Sequence, residues 1–359
     1  MDRSCLSVSY CNPTGMGIYC RAGEWDQEVR TEIHCYWFDF ARSRSMVAPA
    51  RKEAGLTVPP AIWEIPEPLS TDSVKVDDDA VIVLRRHGNP AGPRLVLSHG
   101  NGLAIDLYYP FWSLLTAGFD LVVHDLRNHG WNEVGAQENH RFDAFSRDHD
   151  SIFVAIEKLY GVKPTVGVFH SISALAALHL PSRGNHYSAM VLFTPPLCNT
   201  GPIYSEFEQR AVRTGNMLRV REPWFRTREE LAELHTNLHY FQHAVPGVFD
   251  LVARTTLRES GTGQGYELRC PREYEAQIWY EASQPAVSVD FASLRCPTRI
   301  VGSDPALDPN RPYFDYRAAA GVDYKFVPET THFLQLEKPE ECAAVMLDFL
   351  SRQGFVESP

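Results

Sequence analysis

The sequence has little that would place the protein on nucleic acid or in a membrane. It contains no run of Lys or Arg, and its net charge of −11 disfavours duplex nucleic acid and anionic membranes as general partners. No apolar run approaches the ~20 residues that a membrane-spanning helix needs. The N-terminus lacks the basic and apolar regions of a signal peptide. We therefore expect a cytoplasmic protein with a small-molecule substrate and with neither a nucleic-acid nor a membrane partner. The sequence leaves a homo-oligomer open.

The eight cysteines and fourteen histidines show no spacing typical of a metal site. No Cys-x-x-Cys motif occurs, and no Cys/His spacing fits zinc. His235, His239 and His243 are four residues apart and would share one face of a helix, but no His-Glu-x-x-His motif accompanies them. We therefore expect no bound metal and no cofactor.

Short apolar runs alternate with helical patterns from about residue 70 onward. Such alternation predicts an α/β protein in which a mostly parallel sheet is covered by helices on both faces. After Phe193 the alternation gives way to a helical segment rich in charged and aromatic residues, and it then resumes. We predict an N-terminal extension packed on the core over 1–70, a core formed by 71–193 and 293–359, and an inserted helical cap over 194–292.

Ser171 lies where an apolar strand pattern meets a small-residue helical pattern. A serine on such a sharp turn is typical of a nucleophile elbow, in which the helix N-terminus stabilises a developing oxyanion. The motif Phe169-His170-Ser171-Ile172-Ser173 departs from Gly-x-Ser-x-Gly. Phe169 must therefore find room beneath the turn, and Ser173 must pack where glycine is usual. Two alternatives stay open: Ser171 caps the helix, or Ser173 is the nucleophile.

Four further motifs at predicted strand ends accompany this turn. They are His99-Gly100-Asn101-Gly102, Asp125-Leu126-Arg127-Asn128-His129-Gly130, Gly302-Ser303-Asp304-Pro305 and Thr331-His332-Phe333. In this order the motifs resemble the α/β-hydrolase fold, whose triad order is serine, acid, histidine. The resemblance implies Ser171 as nucleophile and His332 as general base. It implies Asp304 as the acid, with Asp308 as the alternative.

A serine hydrolase of this kind needs an oxyanion hole with two N–H donors. We expect one donor to be the backbone of Ile172, directly after the nucleophile, and the other to be Asn101 or Gly102. We expect His99 and His129 to brace these loops by hydrogen bonding.

Aromatic residues of the cap are the candidate substrate contacts, namely Trp224, Phe225, Tyr240 and Trp279. They suggest a medium-sized, fairly apolar substrate. The expected function is a serine hydrolase that cleaves an ester, thioester or lactone through an acyl-enzyme. The alternatives are a carbon–carbon bond hydrolase with the same triad and a binding protein without turnover.

Overall fold

The computed structural model describes residues 63–77, 80–236, 241, 243–308, 313–314, 316 and 322–356. Most of the predicted N-terminal extension lies outside these ranges, as do Tyr240 and His239. Among the described helices, none is long and apolar enough to cross a membrane.

Eight strands form the central sheet. They are β1 (Ser70–Lys75), β2 (Val81–Gly88), β3 (Arg94–Ser98), β4 (Asp120–His124), β5 (Thr165–His170), β6 (Ala189–Phe193), β10 (Thr298–Gly302) and β11 (Asp323–Phe326). Their order is β1-β2-β4-β3-β5-β6-β10-β11. The pairs β1–β2 and β2–β4 are antiparallel, and the other pairs are parallel. The carboxyl ends of the parallel strands therefore meet at one edge, where sites in such sheets form.

Helices cover both faces of this sheet, which confirms the predicted fold class. Those of the core are α1 (Tyr109–Trp112), α2 (Phe142–Tyr160), α3 (Ile172–Ala177), α9 (Leu334–Glu337) and α10 (Pro339–Arg352). Successive residues of β3 enter opposite apolar layers, since Leu95 packs in the cluster of Phe111 and Val96 in the cluster of Phe145. Strands β3 to β6 and β10 are buried throughout because both of their faces are covered.

The segment predicted as a helical cap contains strands as well as helices. Its described elements are α4 (Pro202–Val220), β7 (Trp224–Phe225), α5 (Arg228–Thr236), α6 (Val248–Thr256), β8 (Leu257–Glu259), β9 (Tyr266–Leu268), α7 (Arg272–Glu281) and α8 (Ser283–Val287). The three strands form an antiparallel sheet in the order β7-β9-β8. They are too short to produce an alternating pattern, so the sequence does not predict them. Helix α6 packs on the core through Val248, Leu251 and Val252.

Candidate active site

Ser171 connects β5 to α3 through a strained backbone turn. Its φ of 55° and ψ of −117° lie where residues with a Cβ are rarely found. The main chain holds the turn, since Ser171 N–H donates to Phe193 O at 2.9 Å and Leu175 N–H donates to Ser171 O at 2.9 Å. The side chain makes no capping hydrogen bond. Its Oγ lies 2.9 Å from Nε2 of His332 instead, so Ser171 does not act as a side-chain N-cap.

His332 lies in the turn between β11 and α9. Removal from water lowers the pKa of His332 to about 4, and the positive charge of Arg210 adds to the shift. The imidazole is therefore neutral at pH 7, and Ser171 can donate its hydroxyl proton to a lone pair on Nε2. A neutral base within hydrogen-bond distance of a serine hydroxyl is the arrangement that proton abstraction requires.

Asp304 lies in the loop after β10, and backbone N–H groups bind its carboxylate. One oxygen accepts the N–H of Ala306 at 2.8 Å, and the other accepts the N–H of Glu329 at 2.8 Å. Nδ1 of His332 is buried and has no hydrogen-bond partner among the described residues. Asp308, the alternative acid, donates its N–H to the carbonyl of Asp304 at 2.8 Å. The identity of the acid therefore stays a prediction.

Phe169 and Ser173, the two residues that depart from the Gly-x-Ser-x-Gly motif, are both buried. Phe169 is fully buried beneath the turn, with its ring 4.5 Å from the ring of His149. Ser173 is also fully buried, and its hydroxyl donates to His170 O at 2.8 Å and accepts from His170 N–H at 3.1 Å. Because both hydrogen bonds hold the Ser173 hydroxyl inside the protein, its geometry favours a structural role over that of nucleophile.

The loop after β3 packs against the elbow. A Cβ on Gly100 would lie 3.2 Å from Cβ of Ser171. Ile172 is the first residue of α3, so its N–H has no acceptor within the helix. The N–H of Gly102 already donates to Nε2 of His129 at 3.0 Å. The choice between Asn101 and Gly102 as the second oxyanion donor stays a prediction.

Helix α7 places Glu275 directly over this loop. A Cβ on Gly102 would overlap the Glu275 carboxylate. The φ of Gly102 is 72°, which also favours glycine at this position. The Asn101 side-chain amide donates to Glu275 O at 2.9 Å, and the Glu275 carboxylate pairs with Arg221. Burial raises the pKa of Glu275, and Arg221 opposes that shift. No sequence motif marks Glu275, because its contacts with Asn101 and Gly102 arise from the packing of segments that are far apart in the sequence.

The two histidines expected to brace the loops form hydrogen bonds with main-chain groups. His99 Nδ1 lies 2.7 Å from Gly100 O, and Leu126 N–H donates to His99 Nε2 at 3.1 Å. Nδ1 of His129 lies 2.9 Å from Arg127 O. Both rings thus connect the loops that follow β3 and β4.

The predicted substrate contacts occupy different environments. Trp224 is 42% exposed and donates its indole N–H to a main-chain carbonyl at 3.0 Å, whereas Phe225 is buried in the core cluster. Trp279 is partly buried and lies one helical turn after Glu275 on α7. Tyr240 lies outside the described residues.

Two aromatic residues near His332 were not among the predicted substrate contacts. The rings of Phe241 and Phe333 stack at 4.7 Å, and the ring of Phe333 lies 5.3 Å from that of His332. Phe333 follows the base directly, which is a signal that sequence reading could have used. Phe241 reaches the site only through the packing of the cap segment.

The three regularly spaced histidines do not share one helix. Helix α5 ends at Thr236, and His243 lies in a turn beyond it. His235 Nδ1 lies 2.9 Å from Leu231 O within the helix. The predicted common helical face is therefore wrong for His243, while His239 lies outside the described residues.

A different group of potential metal ligands is brought together by the fold. His129, His140 and Cys270 are buried, and one ligand atom of each lies within 4.8 Å of the others. However, Nε2 of His129 already accepts the N–H of Gly102, and the side-chain amide nitrogen of Asn128 lies 2.9 Å from Nδ1 of His140. Both ring nitrogens of His129 are thus hydrogen-bonded to the loops, whereas Nε2 of His140 is buried without a hydrogen-bond partner among the described residues.

Comparison with known proteins agrees with this architecture. A family model described as "Alpha/beta hydrolase family" matches residues 95–345, which is most of the chain. The chain belongs to the alpha/beta hydrolase family. No curated protein matches it in sequence.

Solved structures of this family superpose on the chain at low sequence identity. E-2-(acetamidomethylene)succinate hydrolase is 15% identical with a TM-score of 0.61, and the match covers 79% of this chain and 99% of that chain. The thioesterase domain from the curacin biosynthetic pathway is 16% identical with a TM-score of 0.59, covering 77% and 98%. Esterase RhEst1 from Rhodococcus sp. ECU1013 is 18% identical with a TM-score of 0.58, covering 80% and 100%. These likenesses establish the fold of this alpha/beta hydrolase.

Proposed function

We propose that this alpha/beta hydrolase is a serine hydrolase that cleaves an ester, thioester or lactone through an acyl-enzyme. The observation that carries the proposal is the 2.9 Å distance between Ser171 Oγ and His332 Nε2 at the carboxyl edge of the sheet. The strained backbone of Ser171 supports it, because strain of this kind concentrates at functional sites. The neutral state of His332 supports it as well.

In the proposed reaction His332 takes the hydroxyl proton while Ser171 Oγ bonds to the substrate carbonyl carbon. The carbonyl electron pair moves onto its oxygen, which the N–H groups of Ile172 and of Asn101 or Gly102 stabilise. The intermediate collapses, and the leaving alcohol or thiol takes the proton from His332. Water, deprotonated by His332, then attacks the acyl-enzyme. Collapse of this second intermediate releases the carboxylic acid, and the proton on His332 returns to Ser171 Oγ.

We propose Asp304 as the acid that responds when His332 becomes charged. Its main-chain N–H donates to Thr330 O at 3.1 Å, two residues before the base. A carboxylate oxygen that now accepts from Glu329 would be attracted by an imidazolium. Asp304 therefore orients the charged base during turnover.

A medium-sized, fairly apolar substrate fits the residues around the base. The stacked rings of Phe241 and Phe333 lie beside His332, and Trp279 lies one helical turn after Glu275 on α7. Ligand sites are lined mostly by such apolar and aromatic side chains.

A second candidate, hydrolysis of a carbon–carbon bond in a dioxo acid by the same residues, is favoured by one observation. The positive charge of Arg210 acts on His332, so a substrate carboxylate near the base would find a cation. Parallel assays with uncharged aryl esters, acyl thioesters and dioxo acids separate the two reactions. We expect the uncharged esters and thioesters to turn over faster.

Labelling with a fluorophosphonate probe tests the serine mechanism. We expect the wild type to label and Ser171→Ala to lose labelling. Ser98→Ala is the matched control, because Ser98 is also a serine at a strand end and its buried hydroxyl has no hydrogen-bond partner in the described part of the chain. Folded wild type that fails to label would favour the binding protein without turnover. Labelling that persists in Ser171→Ala would instead point to Ser173.

A further inference from the structure

The base is held through its backbone carbonyl. The carbonyl oxygen of His332 accepts from the ring of His170 at 2.9 Å and from the hydroxyl of Thr194 at 3.3 Å. Nδ1 of His332, by contrast, has no partner among the residues that the structure describes. In the resting protein His332 is therefore held by its main-chain carbonyl, and by Nε2 on Ser171, rather than by a partner on Nδ1.

The direction of each hydrogen bond behind His332 follows from the chemistry of its partners. A carbonyl oxygen only accepts, so Nε2 of His170 carries the proton. Burial lowers the pKa of His170 well below its ordinary value, so the ring is neutral and its Nδ1 is an acceptor. Tyr108 therefore donates its hydroxyl proton to Nδ1 at 2.7 Å, and its oxygen accepts the N–H of Gly100 at 3.3 Å.

Burial makes this arrangement rigid. His170 is 1% exposed and Tyr108 is 2% exposed. A buried polar group that loses its hydrogen-bond partner is destabilised, so rotated states of either ring are disfavoured. Thr194 contributes its hydroxyl from a backbone with a φ of 41°, which non-glycine residues rarely adopt.

We propose that His170 and Tyr108 are positioning residues that set His332 against Ser171. The same chain of hydrogen bonds ties the base to Gly100, which packs against the elbow in the oxyanion loop. Base, nucleophile and oxyanion loop are thus held by one buried network. The role in turnover rests on the proposed serine hydrolase function, whereas the network itself does not.

Kinetics of substitutions in the network test the role in turnover. We expect Tyr108→Phe and His170→Leu to lower kcat by about 10- to 100-fold with KM changed by less than about twofold, because a small misplacement of the base slows chemistry more than binding. His170→Gln should restore part of kcat, since its amide can both donate to His332 and accept from Tyr108. Tyr187→Phe is the matched control, because the buried hydroxyl of Tyr187 has no hydrogen-bond partner among the residues that the structure describes.

Two kinetic outcomes would overturn the positioning role. One is an unchanged kcat in Tyr108→Phe and His170→Leu when both are folded. The other is a loss in Tyr187→Phe as large as that in Tyr108→Phe, which would indicate general destabilisation.

Nitrogen-15 NMR of the histidine rings tests the network without any need for activity. We expect His170 to show the neutral form protonated on Nε2 from pH 5 to 8 in the wild type and in Ser171→Ala. Tyr108→Phe should perturb the Nδ1 resonance of His170. A His170 ring protonated on Nδ1 would overturn the network even if the protein is a hydrolase. A wild type that does not label but shows the expected tautomer would overturn only the proposed function.

Discussion

A Cβ on Gly167 would lie 2.5 Å from Cε2 of Phe169, two residues later in β5. Side chains two residues apart in a strand point to the same face. The missing side chain at Gly167 therefore leaves the space that the Phe169 ring fills. The bulky residue two positions before Ser171 is thus accommodated by a glycine in its own strand, without displacing the elbow.

This pairing predicts non-additive stability changes. We expect Phe169→Ala to lower the free energy of unfolding by about 3–5 kcal/mol through the cavity that it leaves. We expect Gly167→Ala to lower it by about 1–3 kcal/mol, because the ring must shift. The double variant should lose less than the sum, since the new methyl group enters vacated space. Urea unfolding of the four proteins measures the coupling, and strict additivity would contradict it.

If Asp304 is the acid that orients His332, substitutions of Asp304 and Asp308 should have very different effects on kcat. We expect Asp304→Asn to lower kcat by about 100-fold or more, because the imidazolium formed in turnover loses its counter-charge. Asp308→Asn should lower kcat by less than about fivefold, since in the proposed assignment Asp308 is not the acid that orients His332. Steady-state kinetics with an aryl ester measures both variants. The reverse order of effects would assign the acid to Asp308.

Because the pKa of His332 is low, we expect the reaction rate to fall only at unusually acidic pH. The base must be neutral to accept a proton, so kcat/KM should rise with pH through a pKa of about 4 and be flat above it. A carboxylate bonded to Nδ1 in the resting enzyme would instead raise the pKa of His332. The rate of fluorophosphonate labelling between pH 3.5 and 8 measures the limit. An acid limb near 6.5, shifted downward in Asp304→Asn, would mean that Asp304 already contacts the resting base.

Burial of histidines predicts that stability falls as the pH falls. Burial lowers the pKa values of the following histidines: His87, His124, His129, His140, His149, His170, His179, His235 and His332. Their unfolded pKa is about 6.5, so below that pH the unfolded chain binds more protons than the folded one. Each such histidine should contribute a loss of about 1.4 kcal/mol per pH unit once the pH is below 6.5 and above its folded pKa.

Urea unfolding at intervals between pH 7 and 5 measures that slope. His149→Phe is the informative variant, because both ring nitrogens of His149 are buried and neither makes a close hydrogen bond within the described part of the chain, and because an aromatic ring is kept beside Phe169. Its slope should be smaller by about one proton. A slope equal to that of the wild type would show that His149 does not titrate on unfolding.

The sequence by itself determined the parallel core, and its resemblance to the α/β-hydrolase fold predicted the family and the pairing of Ser171 with His332. Apolar periodicity reports which segments are buried strands, and parallel strands place their carboxyl ends at one edge. Residues in the loops after such strands therefore lie near one edge, and the serine–acid–histidine order of the resemblance selected Ser171 and His332 among them. The 2.9 Å contact between Ser171 and His332 joins residues 161 positions apart on that basis.

Only the tertiary structure decided how the site is supported. The N–H of Gly102 is bound by His129, the carboxylate of Glu275 lies over the oxyanion loop, and Tyr108 orients His170. These contacts depend on side-chain directions and on the packing of separate segments, which leave no period in the sequence. The sequence also did not predict strands β7, β8 and β9, because two or three residues are too few to show an alternating pattern.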